Sequence, residues 1–262
     1  MKSLLTLPVI LLLTSAAYAQ DHSGSEAEEL AKKLANPVAN LISLPIQTNT
    51  DFGAGINNGS RMVINVQPVI PFSVSKNLNL ITRWIVPVTT QHNYTGPSTQ
   101  QTGIGDAVIS GFLSPKNSKL TWGAGPVFVV PIATNQFLGA KKWAVGPTLV
   151  ALSQKNGWTY GGLVNHLVSI AGDKNRSAVN ATFLNPFLTY NWKSGAGITA
   201  NFEYTRDWEN DINVLLFVPT ASAVTKFGSQ TVSFGIGPRI HLSPDNKPDF
   251  GIRAGISLIF PK

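Results

Sequence analysis

Arg253-Ala254-Gly255-Ile256-Ser257-Leu258-Ile259-Phe260 decides how the rest of the chain is read. With a period of two, Ile252, Ala254, Ile256, Leu258 and Phe260 share one face, and Gly251, Arg253, Gly255 and Ser257 share the other. Successive side chains of a strand point to opposite faces, so this segment has one apolar side and one small or polar side. Such a strand serves in a soluble sandwich, or in a wall with lipid outside and a lumen inside. The remaining sequence discriminates between the two.

Composition favours the wall. Hydrophobic residues make up 43% of the 262 and charged residues only 13%, against about 25% charged in a soluble domain. No stretch beyond the N-terminal region offers eighteen uncharged apolar residues, so no transmembrane helix is expected. Residues 1–19 read as a secretory signal peptide: Lys2 is the positive region, Leu4 to Leu13 the apolar core, and Ala17-Tyr18-Ala19 the cleavage site. Cleavage after Ala19 is expected to leave Gln20 first; intact mass of membrane-extracted protein checks this, and retained Met1 would overturn the topology. There is no cysteine, so no disulfide framework stabilises the exported chain. The formal charge is +7, and losing Lys2 leaves +6. Export removes nucleic acid as a partner. Lipopolysaccharide phosphates, an anionic solute, or solubility alone account for the excess.

Residues 20–38 differ from the rest of the mature chain. Ser25 and Glu28 form a capping-box pattern, Ala27, Leu30, Ala31 and Leu34 an apolar stripe, and Asn36-Pro37 a stop. Three placements are open for this helical segment: periplasm, barrel rim, or lumen.

From 39 to 262 the pattern is strand-like. The expected spans are 40–50, 61–72, 77–88, 104–114, 119–131, 142–153, 157–170, 179–192, 196–206, 212–225, 230–242 and 249–260. About twelve antiparallel strands in up-and-down order suit a transmembrane β-barrel, where even numbers are the rule. Connections after 72, 114, 153, 192 and 225 are short and the intervening ones mostly longer, above all 89–103. A transmembrane barrel alternates short periplasmic turns with longer outer loops; a sandwich has no reason to. Trp122, Trp158 and Trp192 fall at the short-turn ends, while Trp84, Trp143 and Trp208 fall toward the other, which suggests two interfacial aromatic belts. Seven prolines resist the pattern: Pro45, Pro68, Pro126, Pro147, Pro186, Pro219 and Pro238. Proline cannot donate to a ladder, so the wall is expected to bulge there.

Arg253, Gly255, Leu258 and Phe260 also resemble, in their spacing, the C-terminal signal read by the barrel-assembly machinery. Leu34-Ala35-Asn36-Pro37-Val38-Ala39-Asn40-Leu41-Ile42-Ser43-Leu44-Pro45, Asp51-Phe52-Gly53, Gly103-Ile104-Gly105-Asp106, Phe112-Leu113-Ser114-Pro115, Trp122-Gly123-Ala124-Gly125-Pro126 and Ile259-Phe260-Pro261-Lys262 together resemble a Gram-negative outer-membrane barrel family. That family is linked to the meta-cleavage pathway of phenol degradation. The resemblance implies uptake of small, often aromatic or hydrophobic compounds, and carries no defined site residues.

Chemistry is sparse. The four histidines, His22, His92, His166 and His241, show no metal-binding spacing, and no Gly-x-Ser-x-Gly elbow is present. Asp207, Glu209 and Asp211 read as a solvated turn rather than a calcium loop. No cofactor and no reaction are expected. The lumen carries more. Alternation places Arg83, Asn65, Gln67, Asn201, Glu203, Ser233, Arg239, His241 and Arg253 inward. Asp106 is expected there too, since a carboxylate in lipid is costly, and with Glu203 is an available partner for the arginines. These residues either fill a narrow interior or set the selectivity of a constriction. Lys141, Lys142, Lys174 and Arg176 lie on the long-loop side, facing lipopolysaccharide. The reading is an outer-membrane channel for passive uptake of small solutes. A lipid-modifying barrel enzyme and a structural barrel without an open pore are the alternatives.

Overall fold

The computed structural model describes residues 24–54, 57–118, 120–244 and 247–260; the signal segment and the Ser25 side chain lie outside the described residues. One helix, α1 (Gly24–Leu34), precedes the strands. The first seven are β1 (Ile42–Ala54), β2 (Gly59–Val66), β3 (Val69–Ser73), β4 (Leu78–His92), β5 (Gln100–Ile104), β6 (Ala107–Pro115) and β7 (Thr121–Val130). β8 (Lys142–Lys155), β9 (Trp158–Gly172), β10 (Asn180–Asn191) and β11 (Ala196–Asp207) come next. β12 (Ile212–Phe217), β13 (Thr220–Phe227), β14 (Gln230–Ser243) and β15 (Phe250–Phe260) complete the wall.

Three pairs of segments continue one another: β2 with β3 across Gln67-Pro68, β5 with β6 across Gly105-Asp106, and β12 with β13 across Val218-Pro219. The result is a closed barrel of twelve antiparallel strands. Closure is made by β1 against β15, in unbroken register from Ile42 opposite Phe260 to Phe52 opposite Phe250. Short connections at 74–77, 116–120, 156–157, 192–195 and 228–229 alternate with the outer loops, as expected. The tightest is Asn156-Gly157, both at positive φ (51° and 82°), an Asn-Gly turn whose twist matches its strands. The expected 89–103 loop is shorter than predicted, because β4 runs on to His92 and β5 begins at Gln100.

The outer surface is apolar. Phe250, Ile252 and Phe260 of β15 are exposed, as are Phe234, Ile236, Ile240 and Leu242 of β14. Such a shell would drive aggregation in water and is what a lipid-facing wall requires. Trp122, Trp158 and Trp192 sit at the short-turn end, where Trp158, Tyr190 and Trp192 form a chain of rings with centroids 4.8 and 5.3 Å apart. Trp143 and Trp208 lie at the other end. Trp84 does not: it lies opposite Ile109, near mid-strand, since β4 extends beyond its expected end at 88.

Four of the prolines share one arrangement, whereas Pro45 sits opposite Ser257 in the unbroken β1–β15 register and makes no break there. Pro126 lies opposite Pro147 in the intact β7–β8 ladder, so its nitrogen faces β6, and pairing is interrupted at Gly111–Phe112. Pro147 interrupts β8–β9 opposite His166, Pro186 interrupts β10–β11 opposite Phe202, and Pro238 interrupts β13–β14 opposite Pro219. In each case the facing carbonyl loses its donor. Three of these carbonyls lean over the glycine before the proline: a Cβ on Gly125 would lie 1.9 Å from the Gly111 oxygen, one on Gly146 1.6 Å from the His166 oxygen, and one on Gly237 1.9 Å from the Pro219 oxygen. At Pro186 the preceding residue is Asn185, and its Nδ2 donates to the Phe202 oxygen at 2.7 Å. The wall therefore either satisfies the orphaned carbonyl with a side chain or makes room for it.

Phe260 anchors the closing seam opposite Ile42. Removing Phe260-Pro261-Lys262 is expected to impair assembly far more than removing Pro261-Lys262, read as the loss of the heat-modifiable band on a gel. Equal folded yields would detach the terminal ring from assembly.

Candidate functional site: the lumen and its waist

The interior is built from two kinds of residue. Ile81, Phe112, Val150, Leu152 and Leu163 face inward and form an apolar cluster with Phe183 and Phe187 against it. The sixth member, Val38, comes from the N-terminal segment and is 5% exposed. The chain after α1 thus enters the lumen. α1 itself packs at the short-turn end, where Lys226 Nζ meets Glu26 at 2.8 Å, Gln154 Nε2 donates to the Lys32 carbonyl at 2.8 Å, and Ala27 abuts Gly195. Of the three placements open to this segment, it takes a composite one: helix at the short-turn end, succeeding residues inside.

The other side of the lumen is polar. Arg253 donates to Asn49 Oδ1 (2.7 Å) and forks onto Glu203 (2.6 and 3.1 Å). Arg239 forks onto Asp51 (2.8 and 3.2 Å), which also lies 2.9 Å from His241 Nε2. Asn201 Nδ2 donates to Glu203. Arg83 Nη2 donates to Gln67 Oε1 at 2.5 Å. A bidentate arginine–carboxylate pair fixes both side chains and cancels their charge locally. Asn65 lines the outer cavity and Ser233 the short-turn one.

Asp106 departs from its expected role. It lines neither cavity, and its oxygens accept from the backbone N–H groups of Ala133 (3.2 Å) and Ala140 (2.6 Å). The cost of placing a carboxylate at the wall is met by backbone donors, not by an arginine. The carboxylate holds the loop 131–141 against β5, with Leu138 buried over Gly103 and Gly105. Sequence reasoning missed two lumen residues on the inward rows: Asp51, two positions beyond Asn49, and Arg61, whose guanidinium stacks 5.3 Å from the Tyr94 ring. Counting outward from Gln47 and from Gln67 would have found both.

Among the described residues the lumen holds a cavity of about 360 Å³ toward the short-turn end and one of about 440 Å³ beyond it. The first is lined by residues 33–37 of the N-terminal segment, the second by the charged pairs and by Phe112, Leu163 and Phe183. Gln47, Gln67, Arg83 and Arg253 line both and form the waist between them. The barrel is similar in fold to the COG4313 outer membrane channel from Pseudomonas putida F1, with a TM-score of 0.68 at 12% identity, over 85% of this chain and 97% of that one. The fold is that of a Gram-negative outer-membrane barrel. OmpT of Vibrio cholerae (TM-score 0.38, 9% identity, 84% of this chain and 98% of that one) and OprB of Pseudomonas putida (0.31, 9%, 94% and 98%) match less well. No family model and no curated protein sequence matches the chain.

The four outer cations lie together on two neighbouring connections. Lys141 and Lys142 close the 131–141 loop, Lys174 and Arg176 lie in 173–179, and Arg176 donates to the Gly139 carbonyl at 2.8 Å. On the outer wall, His166 Nδ1 lies 2.9 Å from Thr182 Oγ1, which also accepts from Trp208 Nε1 at 2.9 Å. Among the described residues no carboxylate bonds to this imidazole. The 207–211 acids are separately engaged: Asp207 accepts from Glu209 and Asn210, and Asp211 pairs with Arg206.

Proposed function

We propose that the protein is an outer-membrane channel for passive uptake of small solutes with a substantial apolar part, the class implied by the resemblance to barrels of phenol degradation. The observation that carries the reading is the divided lumen. One side presents arginines, carboxylates and amides, and the other presents Phe112, Leu163 and Phe183 to the same cavity. A lumen meant only for ions has no use for the apolar side, and a filled structural barrel has no use for the cavities.

Reversal potential in a salt gradient across a planar bilayer tests it. The parent channel is expected to conduct with a modest anion preference, because two of the three cavity arginines are neutralised by Glu203 and Asp51. Arg253→Gln is expected to move the potential toward cations by releasing Glu203. Absence of conductance in folded parent protein favours the structural barrel. The lipid-modifying alternative has one observation behind it, the wall-facing His166–Thr182 contact. It predicts acyl-chain release from phospholipid vesicles that His166→Asn abolishes; the channel reading predicts none.

Lipopolysaccharide is the proposed outer partner. Replacing Lys141, Lys142, Lys174 and Arg176 together by glutamine is expected to reduce the lipopolysaccharide that co-purifies with the barrel. Unchanged co-purification would assign these charges to solvation alone.

A further inference from the structure

Of the arginines that line the two cavities, Arg83, Arg239 and Arg253, only Arg83 has no carboxylate partner. Glu203 is held by both terminal nitrogens of Arg253 and by Asn201; Asp51 is held by Arg239 and His241. Arg83 has only the neutral amide oxygen of Gln67. A guanidinium carries five N–H donors in a planar fork, and one amide oxygen leaves most of them open to a ligand. Glu203 reaches Arg83 only through space, since both of its oxygens are taken by Arg253, and a cation in a confined interior with no carboxylate bonded to it attracts an anion more strongly than the same cation at a surface.

Arg83 also occupies a particular place. It stands at the waist, in contact with both cavities, so a solute crossing the lumen passes it. The outer cavity presents Ile85 on the same strand, Val108 and Phe112 on the neighbouring β6, and Leu163 and Phe183 across the lumen on β9 and β10. A fully hydrated inorganic anion gains nothing from those five side chains, and an apolar neutral molecule gains nothing from the guanidinium. A molecule with both parts gains from each. Phosphate dianions fit less well, since the rest of the waist offers the amides Gln47 and Gln67 and an arginine already committed to Glu203.

We propose that Arg83 and the apolar side chains beside and across from it form a binding station for small monocarboxylates with an apolar body, of about the size of benzoate. The carboxylate accepts from the free edge of the Arg83 guanidinium, and the ring lies against Phe112, Leu163 and Phe183. Binding is reversible, with no bond made or broken. The station rests on the channel reading, which it narrows to a solute class.

The test separates the two. Binding is measured by titration calorimetry on the detergent-folded, full-length mature barrel, so it does not depend on flux, and conductance is recorded separately. Benzoate is expected to bind at least about tenfold more tightly than benzyl alcohol, which lacks the charge, and than acetate, which lacks the ring. Arg83→Gln is expected to lose benzoate affinity about tenfold or more and to leave benzyl alcohol unchanged. Gln67→Glu keeps the arginine but supplies the missing carboxylate, and should lose benzoate to the same degree. It serves where Arg83→Gln yields no folded barrel. Equal benzoate affinity in the parent and a folded variant would overturn the station, as would benzyl alcohol binding as tightly as benzoate, or no benzoate binding at all. Benzoate binding to a barrel that never conducts would retain the station and remove the channel.

Discussion

Removal of residues 20–38 is expected to raise single-channel conductance several-fold without reducing the yield of folded barrel. Residues 33–37 line the short-turn cavity, and Val38 sits inside the wall among Ile81, Phe112, Val150, Leu152 and Leu163. Withdrawing the segment widens the path at its occupied end. The loss is local. A buried valine contributes about 1.5–3 kcal/mol, and the contacts made by Glu26 and Lys32 lie at the rim. The β1–β15 seam and the ladders between strands do not involve the segment. Conductance of the truncated and full-length proteins in the same bilayer decides it. Equal conductance would show that the segment does not limit the path. Lys226→Ala, which removes only the Glu26 partner, is expected to act far more weakly, since an exposed ion pair contributes about 0–1 kcal/mol.

Gly146→Ala is expected to destabilise the barrel by about 3 kcal/mol or more, seen as loss of the folded band and a lower temperature of heat modification. The added methyl would sit 1.6 Å from the His166 carbonyl oxygen, and that oxygen belongs to the backbone of the neighbouring strand. Relief requires β8 and β9 to part. Gly162→Ala on β9 is the control: its Cβ would meet nothing nearer than 3.5 Å, and the variant is expected to assemble like the parent. Should Gly146→Ala fold as well as Gly162→Ala, the inward lean of the His166 carbonyl would be wrong.

Much of the wall was legible in the sequence, because lipid outside and water inside impose a strict period of two, as in Ile252 to Phe260. The alternation of short and long connections came through for the same reason: Asn156-Gly157 and Gly228-Ser229 are turn signals independent of tertiary context. What escaped was any feature that breaks the period. Gln101 is buried on β5, while Ser110, Phe112 and Ser114 are buried on β6, so inward positions change from odd to even across Gly105-Asp106. A one-residue slip of that kind moves every later side chain to the other face. The lumen pairings were half legible. Arg253 and Glu203 share the inward rows that alternation defines, but their meeting depends on the curvature that brings β11 across to β15. Asp106 was assigned by the cost of burying its charge, and sequence alone does not reveal that two backbone N–H groups from residues 133 and 140 would meet that cost.

The proline interruptions have a consequence for the geometry of the hoop. They fall on β6–β7, β8–β9, β10–β11 and β13–β14, all hairpins joined by short turns, whereas β7–β8, β9–β10 and β14–β15, joined by outer loops, keep unbroken ladders. Strand number and stagger set the girth of a barrel only where every rung is made. Here the four breaks all lie on the arc that runs from β6 round to β14, while the run from β14 through β15 to β1 keeps every rung. At that level rungs are missing beside Pro126, Pro147, Pro186 and Pro238. Where the wall can give is therefore written in the positions of these imino acids, and the closing seam is left rigid.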